Sequence, residues 1–310
     1  MSLFKNIYFL FGICIYTAAV LYLHFVFQQS LPDMLTLFLI IGIGFSFIGW
    51  WMTRKLSQPL HKPRIKKEFW LVLLLVGWVI FYITYGGSLI NKLLPANWIE
   101  NPQTYSVIIF LRKLIFFVLV PFVVYKLFGF SLQDFGLTRS PVKFFSQRSI
   151  IIFFLMAIAA SVFQYFFSNG AKHFRNGEFN TSQLIIGLPL CFVYLLFDAG
   201  LIEEFFFRGF LQSRSSVLLR STAGGIIVSA IVFGLVHAPG LYLRGAGSEG
   251  IEEQLPFSFF CAYTIAYMST AGLFLGIIYN KTKNLWLVMA IHAMVDLLPN
   301  FDDFVKTWRI

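Results

Sequence analysis

Nine apolar stretches dominate the chain, most of them close to the roughly 20 residues that a helix needs to cross a bilayer. They are residues 7–27, 35–52, 69–90, 106–128, 150–167, 184–202, 222–236, 257–279 and 285–298. Within lipid every backbone N–H and C=O group must find a partner inside the protein, which an α-helix provides by itself. The sequence therefore predicts an all-α, polytopic membrane helix bundle with about nine spans, in the range of eight to ten.

Charged residues are few, and their placement indicates a topology. They make up 12% of the chain, about half of the roughly 25% that is typical of soluble domains. The net charge of +10 comes from short loops between apolar stretches, which marks cytoplasmic loops and argues against nucleic-acid binding. The most basic loop contains Arg54, Lys55, Lys62, Arg64, Lys66 and Lys67. We expect a multi-pass integral membrane protein with a cytoplasmic N terminus; an anionic-lipid or partner-binding role for this loop is an alternative.

Two adjacent glutamates, Glu203 and Glu204, follow the sixth apolar stretch directly. On a helix Glu204 and Arg208 share a face and can form an ion pair. Glu203 points about 100° away, so it is less well placed to use the same partner. Ionised groups at membrane depth are costly and usually face a protein interior or a wet cavity. One carboxylate is therefore expected to be structural, and the other is a candidate base.

Further polar residues lie in the late apolar stretches. Phe233 and His237 are four residues apart and share a helix face. The same spacing joins His292 to Asp296, and Asp198 precedes the first glutamate by five residues. Singly, each has an ordinary structural explanation, such as a histidine that packs through one hydrogen bond. Together they carry a desolvation cost that a purely structural bundle could avoid, which favours a shared functional site.

These residue types suit the activation of a water molecule. A glutamate can take a proton from water, imidazole N–H groups can stabilise an oxyanion, and a nearby carboxylate can fix the imidazole tautomer. Alternatively, Glu203, His237 and His292 could hold a Zn²⁺ ion that acidifies its bound water. The sequence does not separate these two mechanisms, and it contains no HExxH motif.

Three motifs occur in order: Glu203-Glu204-x-x-x-Arg208, Phe233-x-x-x-His237 and His292-x-x-x-Asp296. They resemble those of the CAAX prenyl protease family, whose bacterial members are called CPBP or abortive-infection intramembrane proteases. The phrase Asp-Phe-Gly-Leu at residues 134–137 resembles the lead-in to that family's core. The resemblance covers about residues 130–300. It implies a CPBP-like protease core at residues 129–310, preceded by an extension of transmembrane helices at residues 1–128.

The activity implied by this resemblance is that of an intramembrane endopeptidase. The protein would lie in a bacterial inner membrane and cleave a peptide or membrane-protein substrate, in contact with the lipid bilayer. Glu203 resembles the general base that activates water, and Glu204 and Arg208 resemble its support.

The two histidines and their helix neighbours complete the implied site. His237 and His292 resemble the pair that stabilises the oxyanion or binds a metal, so that Zn²⁺ is the one cofactor to consider. Phe233 is a candidate substrate contact. Asp296 stands where the family usually has Asn. Because an ionised Asp cannot donate a hydrogen bond to an oxyanion, we expect Asp296 to orient His292 or to be protonated.

Other functions remain open. A non-catalytic membrane protein could use the same polar cluster to bind a peptide, a regulator or an ion, because fold does not imply function. A transporter is less favoured, since the sequence shows no matching halves with paired broken helices. The enzyme further requires either that the sixth helix continue well past Glu203 or that the seventh helix begin later than residue 222. The late arginines at 208, 214 and 220 favour the continuation of the sixth helix.

Overall fold

A computed structural model describes residues 6–56, 65–131, 146–244 and 255–310. Within these residues nine helices are long and apolar enough to cross a membrane, and no strand is present. They are α1 (Ile7–Phe27), α2 (Leu31–Thr53), α3 (Lys66–Leu93), α4 (Pro102–Leu127), α5 (Gln147–Phe167), α6 (Gln183–Leu218), α7 (Thr222–Leu243), α8 (Phe257–Thr282) and α9 (Leu285–Trp308). The predicted all-α, polytopic fold is confirmed.

Polar caps explain why several helices begin earlier than the apolar stretches predict. The side chain of Ser30 accepts a hydrogen bond from the backbone of α2, Asn101 does so for α4, and Ser146 does so for α5. Such caps satisfy N–H groups that have no partner within the first helical turn. A prediction from apolar residues alone leaves out these polar capping positions. Helix α1, by contrast, has the bounds that the sequence predicts.

The chain divides into two compact units. The first consists of Met1–Ser88 and Phe210–Lys283, and the second of Leu89–Gly209 and Asn284–Ile310. The predicted boundary after residue 128 follows the family resemblance rather than packing, and it stays a prediction. The predicted lead-in at residues 134–137 and the basic residues Lys62 and Arg64 lie outside the described residues.

Helices α7 and α8 of the first unit pack closely because small residues meet where they cross. A Cβ atom added at Gly272 would lie 2.8 Å from the Cα atom of Ala230. No side chain larger than hydrogen fits such a contact without a backbone shift. Small residues at helix crossings are typical of membrane bundles, where close packing replaces the hydrophobic effect between helices.

Helix α9 of the second unit continues to Trp308, although its apolar stretch predicts an end near residue 298. Pro299 lies inside the helix and has no N–H group. The carbonyl of Val295, its usual acceptor one turn earlier, instead accepts a hydrogen bond at 3.1 Å from the side chain of Gln164 in α5. Membrane helices tolerate proline when a neighbouring side chain satisfies the released carbonyl group.

We therefore expect Gln164→Leu to lower the free energy of unfolding by about 1 kcal/mol, since it leaves the Val295 carbonyl without this donor. In a Pro299→Ala background the helix supplies its own N–H group, and the same substitution should have little effect. Denaturant titration of the wild type, the two single variants and the double variant in detergent measures this coupling. An equal loss in both backgrounds would contradict the proposed compensation.

Candidate active site

Helix α6 carries the two glutamates deep within its length. It contains 36 residues, and Glu203 lies 20 residues after its start and 15 residues before its end. The predicted continuation past Glu203 is thus confirmed. Wider turns with i→i+5 hydrogen bonds, at Leu196–Leu201 and Phe205–Gln212, flank the short α-helical segment Ile202–Glu204. Such turns occur frequently at functional sites.

A close approach of α6 and α9 lies next to the glutamates. A Cβ atom added at Gly200 would lie 2.6 Å from the carbonyl oxygen of Met289, so the two backbones are almost in contact there. Met289 precedes His292 by three residues and lies on the same side of α9. Gly200 therefore permits the approach that brings the α6 carboxylates to the imidazole.

Glu204 lies at the centre of a buried polar group. Its side chain is 0% exposed, as is that of Arg208. One carboxylate oxygen of Glu204 lies 2.9 Å from Nη1 of Arg208 and 2.7 Å from Nδ1 of His292. The ion pair predicted from the i,i+4 spacing is present. The contact with His292 joins two residues that are 88 positions apart.

The other nitrogen of His292 faces two more accessible carboxylates. Nε2 lies 3.3 Å from a carboxylate oxygen of Asp296 and 4.0 Å from one of Glu203. The side chains of Asp296 and Glu203 are 31% and 19% exposed, whereas that of Glu204 is fully buried. The two adjacent glutamates therefore have different environments: Glu204 is fully buried, and Glu203 is partly exposed.

A second ion pair lies on the same helix as the glutamates. Nζ of Lys113 in α4 lies 2.7 Å from a carboxylate oxygen of Asp198 in α6. The neighbouring Arg112 donates from Nη1 to Asn91 at 2.6 Å. The sequence leaves open whether these cations extend to the membrane surface or pair within the bundle; the structure shows that both are engaged within the second unit. The Lys113–Asp198 pair compensates one of the charges on α6.

Phe233 and His237 belong to α7 in the first unit. Nδ1 of His237 lies 2.7 Å from the backbone carbonyl of Phe233, and the two rings are 5.2 Å apart between centroids. Because a carbonyl can only accept, Nδ1 of His237 carries the proton. A neutral His237 therefore presents Nε2 as an acceptor or ligand. Phe233 is buried, and its predicted contact with substrate stays a prediction.

The comparison with protein families bears directly on these motifs. Residues 185–298 match the family model described as type II CAAX prenyl endopeptidase Rce1-like. This part of the chain is similar to the Rce1-like family. The matched segment includes every residue of the three motifs, and it confirms the resemblance to this protease family. Neither a curated protein nor a solved structure matches the chain significantly.

The matched family is one of endopeptidases, and the match supports an intramembrane protease activity in general. The matched segment extends from α6 to α9, and its residues are divided between the two units. Five of its six predicted catalytic residues, all except His237, belong to the second unit. Two contacts could not be predicted from the sequence, because each joins distant positions on different helices. They are the contact between Glu204 and His292 and the contact between Lys113 and Asp198.

The fit of a metal ion can be tested on the histidine contacts. The hydrogen bond between Nδ1 of His292 and Glu204 is of the kind that orients a metal-binding histidine. Among the described residues, however, no three His, Cys, Asp or Glu side chains are grouped so that they could hold a metal ion. The Zn²⁺ ion therefore stays a prediction from the resemblance, and no step below depends on it.

Proposed function

We propose that this protein is an intramembrane endopeptidase in which Glu203 activates the water that attacks a peptide bond. The observation that best supports this proposal is the different environment of the two glutamates. Glu204 is fully buried and engaged with Arg208 and His292, whereas the adjacent Glu203 is partly exposed and lies 4.0 Å from Nε2 of His292. A general base must be reachable by water, and of the two glutamates Glu203 is the one whose side chain is partly exposed.

The proposed reaction uses Glu203 first as a base and then as an acid. Its carboxylate takes a proton from water while the water oxygen bonds to the carbonyl carbon of the scissile peptide bond. The carbon becomes tetrahedral, and the former carbonyl oxygen becomes the oxyanion. When this intermediate collapses, the bond from carbon to nitrogen breaks, and Glu203 returns the proton to the leaving amine. The products are a carboxylic acid and an amine, which become a carboxylate and an ammonium ion by proton exchange, and Glu203 ends in its starting state.

His292 is the second participant on this side of the site. The Glu204 carboxylate accepts a hydrogen bond from Nδ1 and so fixes the orientation of the ring. Nε2 then faces Asp296 and Glu203. When it is protonated, Nε2 can donate a hydrogen bond to the oxyanion. Asp296 is close enough to orient this nitrogen, which is the role predicted for it in place of an Asn.

His237 has two roles under this proposal, depending on its protonation. A protonated ring can donate from Nε2 to the oxyanion, whereas a neutral ring, with its proton on Nδ1, can only accept there. The resemblance also implies an alternative in which Glu203, His237 and His292 bind a Zn²⁺ ion. A bound Zn²⁺ would supply a more acidic water.

The proposed substrate is a peptide or a segment of a membrane protein close to the membrane surface. We further propose a cytoplasmic N terminus and a bacterial inner membrane. The support for the orientation is the excess of Lys and Arg in the loop between α2 and α3. The family name refers to prenylated substrates, but no feature of the described residues selects a prenyl group.

Cleavage of a library of quenched peptides, some with a membrane anchor, tests this function on the purified full-length protein in nanodiscs. We expect cleavage of a subset of the peptides. Metal analysis of the same sample, with and without a zinc chelator, separates the two mechanisms. Activity that survives removal of all metal supports direct activation by Glu203, and activity that depends on stoichiometric zinc supports the alternative. Saturable peptide binding without any cleavage would favour a non-catalytic binding protein.

A further inference from the structure

A groove of about 740 Å³ lies on the first unit where several helices end. The first turns of α3 contribute Lys66, Phe69 and Trp70. The last residue of α6, Leu218, and the residue that follows it, Leu219, also line the groove. Apart from Lys66, these side chains present mainly apolar surface. Because the groove lies at helix ends, it is level with the boundary between lipid tails and headgroups.

The walls of this groove are held together by a buried ion pair. Nη1 of Arg214 in α6 lies 3.1 Å from a carboxylate oxygen of Glu68 in α3, and both side chains are almost completely buried. On α3 the groove residues are spaced i, i+3 and i+4, so they form one face of the helix. The groove is therefore a fixed feature of the fold rather than a chance gap between two loosely packed helices.

The apolar part of the groove is open to the surroundings. Phe69 and Trp70 are 52% and 64% exposed. Tryptophan is enriched at membrane interfaces, where its ring contacts both lipid tails and headgroups. An acyl chain lying along these rings would cover apolar surface that the protein itself leaves open.

The rim of the groove carries positive charge. Lys66 lines the groove and is exposed, Lys67 follows it, and Arg220 follows the lining residue Leu219. Glu68, the acidic residue nearest in sequence to Lys66, is buried against Arg214. The rim therefore attracts an anion at the level where lipid phosphates lie.

We propose that this groove binds one anionic phospholipid, with its acyl chain along Phe69, Trp70 and Leu218 and its headgroup against Lys66. The charge of the rim favours this occupant over a zwitterionic lipid, which gains less from the lysine because its own ammonium group offsets the charge of the phosphate. The site lies in the first unit and does not depend on the proposed protease activity. Under this proposal Lys66, one of the basic residues that indicate the topology, also recognises a lipid headgroup.

Fluorescence quenching of Trp70 by brominated lipids tests this proposal. The full-length protein is placed in phosphatidylcholine nanodiscs that contain equal amounts of either brominated phosphatidylglycerol or brominated phosphatidylcholine. The contribution of Trp70 is obtained by subtracting the spectrum of Trp70→Phe, because the chain has 7 tryptophans. We expect phosphatidylglycerol to quench Trp70 several-fold more strongly than phosphatidylcholine does.

Two lysine variants provide the matched comparison. Lys66→Gln should abolish the preference for phosphatidylglycerol, whereas Lys126→Gln, at an exposed lysine near the end of α4 and outside the groove, should keep it. Equal quenching by the two lipids, or a preference that survives Lys66→Gln, would overturn the proposal. Quenching by neither lipid would show that protein covers the groove, and it would overturn the proposal as well.

Discussion

Glu203→Gln is expected to lower the rate of peptide cleavage by about 10²–10⁴-fold, the usual contribution of a general base. Glutamine has nearly the same shape but cannot take a proton from water. The variant should remain folded, because Glu203 is partly exposed and the substitution preserves the size of the side chain. Initial rates in nanodiscs and thermal unfolding of the same samples measure both quantities.

The matched control for this prediction is Glu100→Gln. It makes the same chemical change at an exposed carboxylate in the short helix Ala96–Glu100, outside the site. Its cleavage rate should equal that of the wild type. Full activity in Glu203→Gln would remove this residue from the role of base.

Arg208→Met is expected to lower the free energy of unfolding by about 3–5 kcal/mol, the usual cost of leaving a buried charge without its partner. Glu204 would keep its contact with His292 but lose the guanidinium 2.9 Å from its carboxylate oxygen. Activity should fall too, because the orientation of His292 depends on that carboxylate. Denaturant titration in detergent and cleavage rates check the two effects.

A second substitution distinguishes lost charge balance from lost packing. Adding Glu204→Gln to Arg208→Met removes the unbalanced carboxylate, and it should restore a large part of the stability but not the activity. Arg148→Met, at an exposed arginine near the start of α5, should be close to neutral. An unchanged free energy of unfolding in Arg208→Met would show that the pair does not stabilise the fold.

The helices could be predicted from the sequence because the bilayer imposes a simple rule of length and apolar composition. That rule places α1 at Ile7–Phe27 and detects the other eight helices. It fails at the end of α9, because a proline such as Pro299 usually marks the end of a helix. The helix continues because Gln164, on another helix, satisfies the carbonyl of Val295. A compensation between distant positions leaves no periodic signal in the sequence.

The same distinction applies to the site. Contacts within one helix, such as Glu204 with Arg208 and His292 with Asp296, follow from the i,i+4 spacing alone. The contact between Glu204 and His292 depends on the close approach of α6 and α9 at Gly200, which no single stretch reveals. This contact is what gives the two adjacent glutamates different environments.

The most direct test of the account compares Glu203→Gln with Glu204→Gln in one set of cleavage and unfolding measurements. We predict that Glu203→Gln loses cleavage and unfolds at the temperature of the wild type. Glu204→Gln should lose stability together with activity, because Arg208 is then left buried without its carboxylate. The opposite pattern, a stable but inactive Glu204→Gln beside an active Glu203→Gln, would contradict the assignment of the base to Glu203.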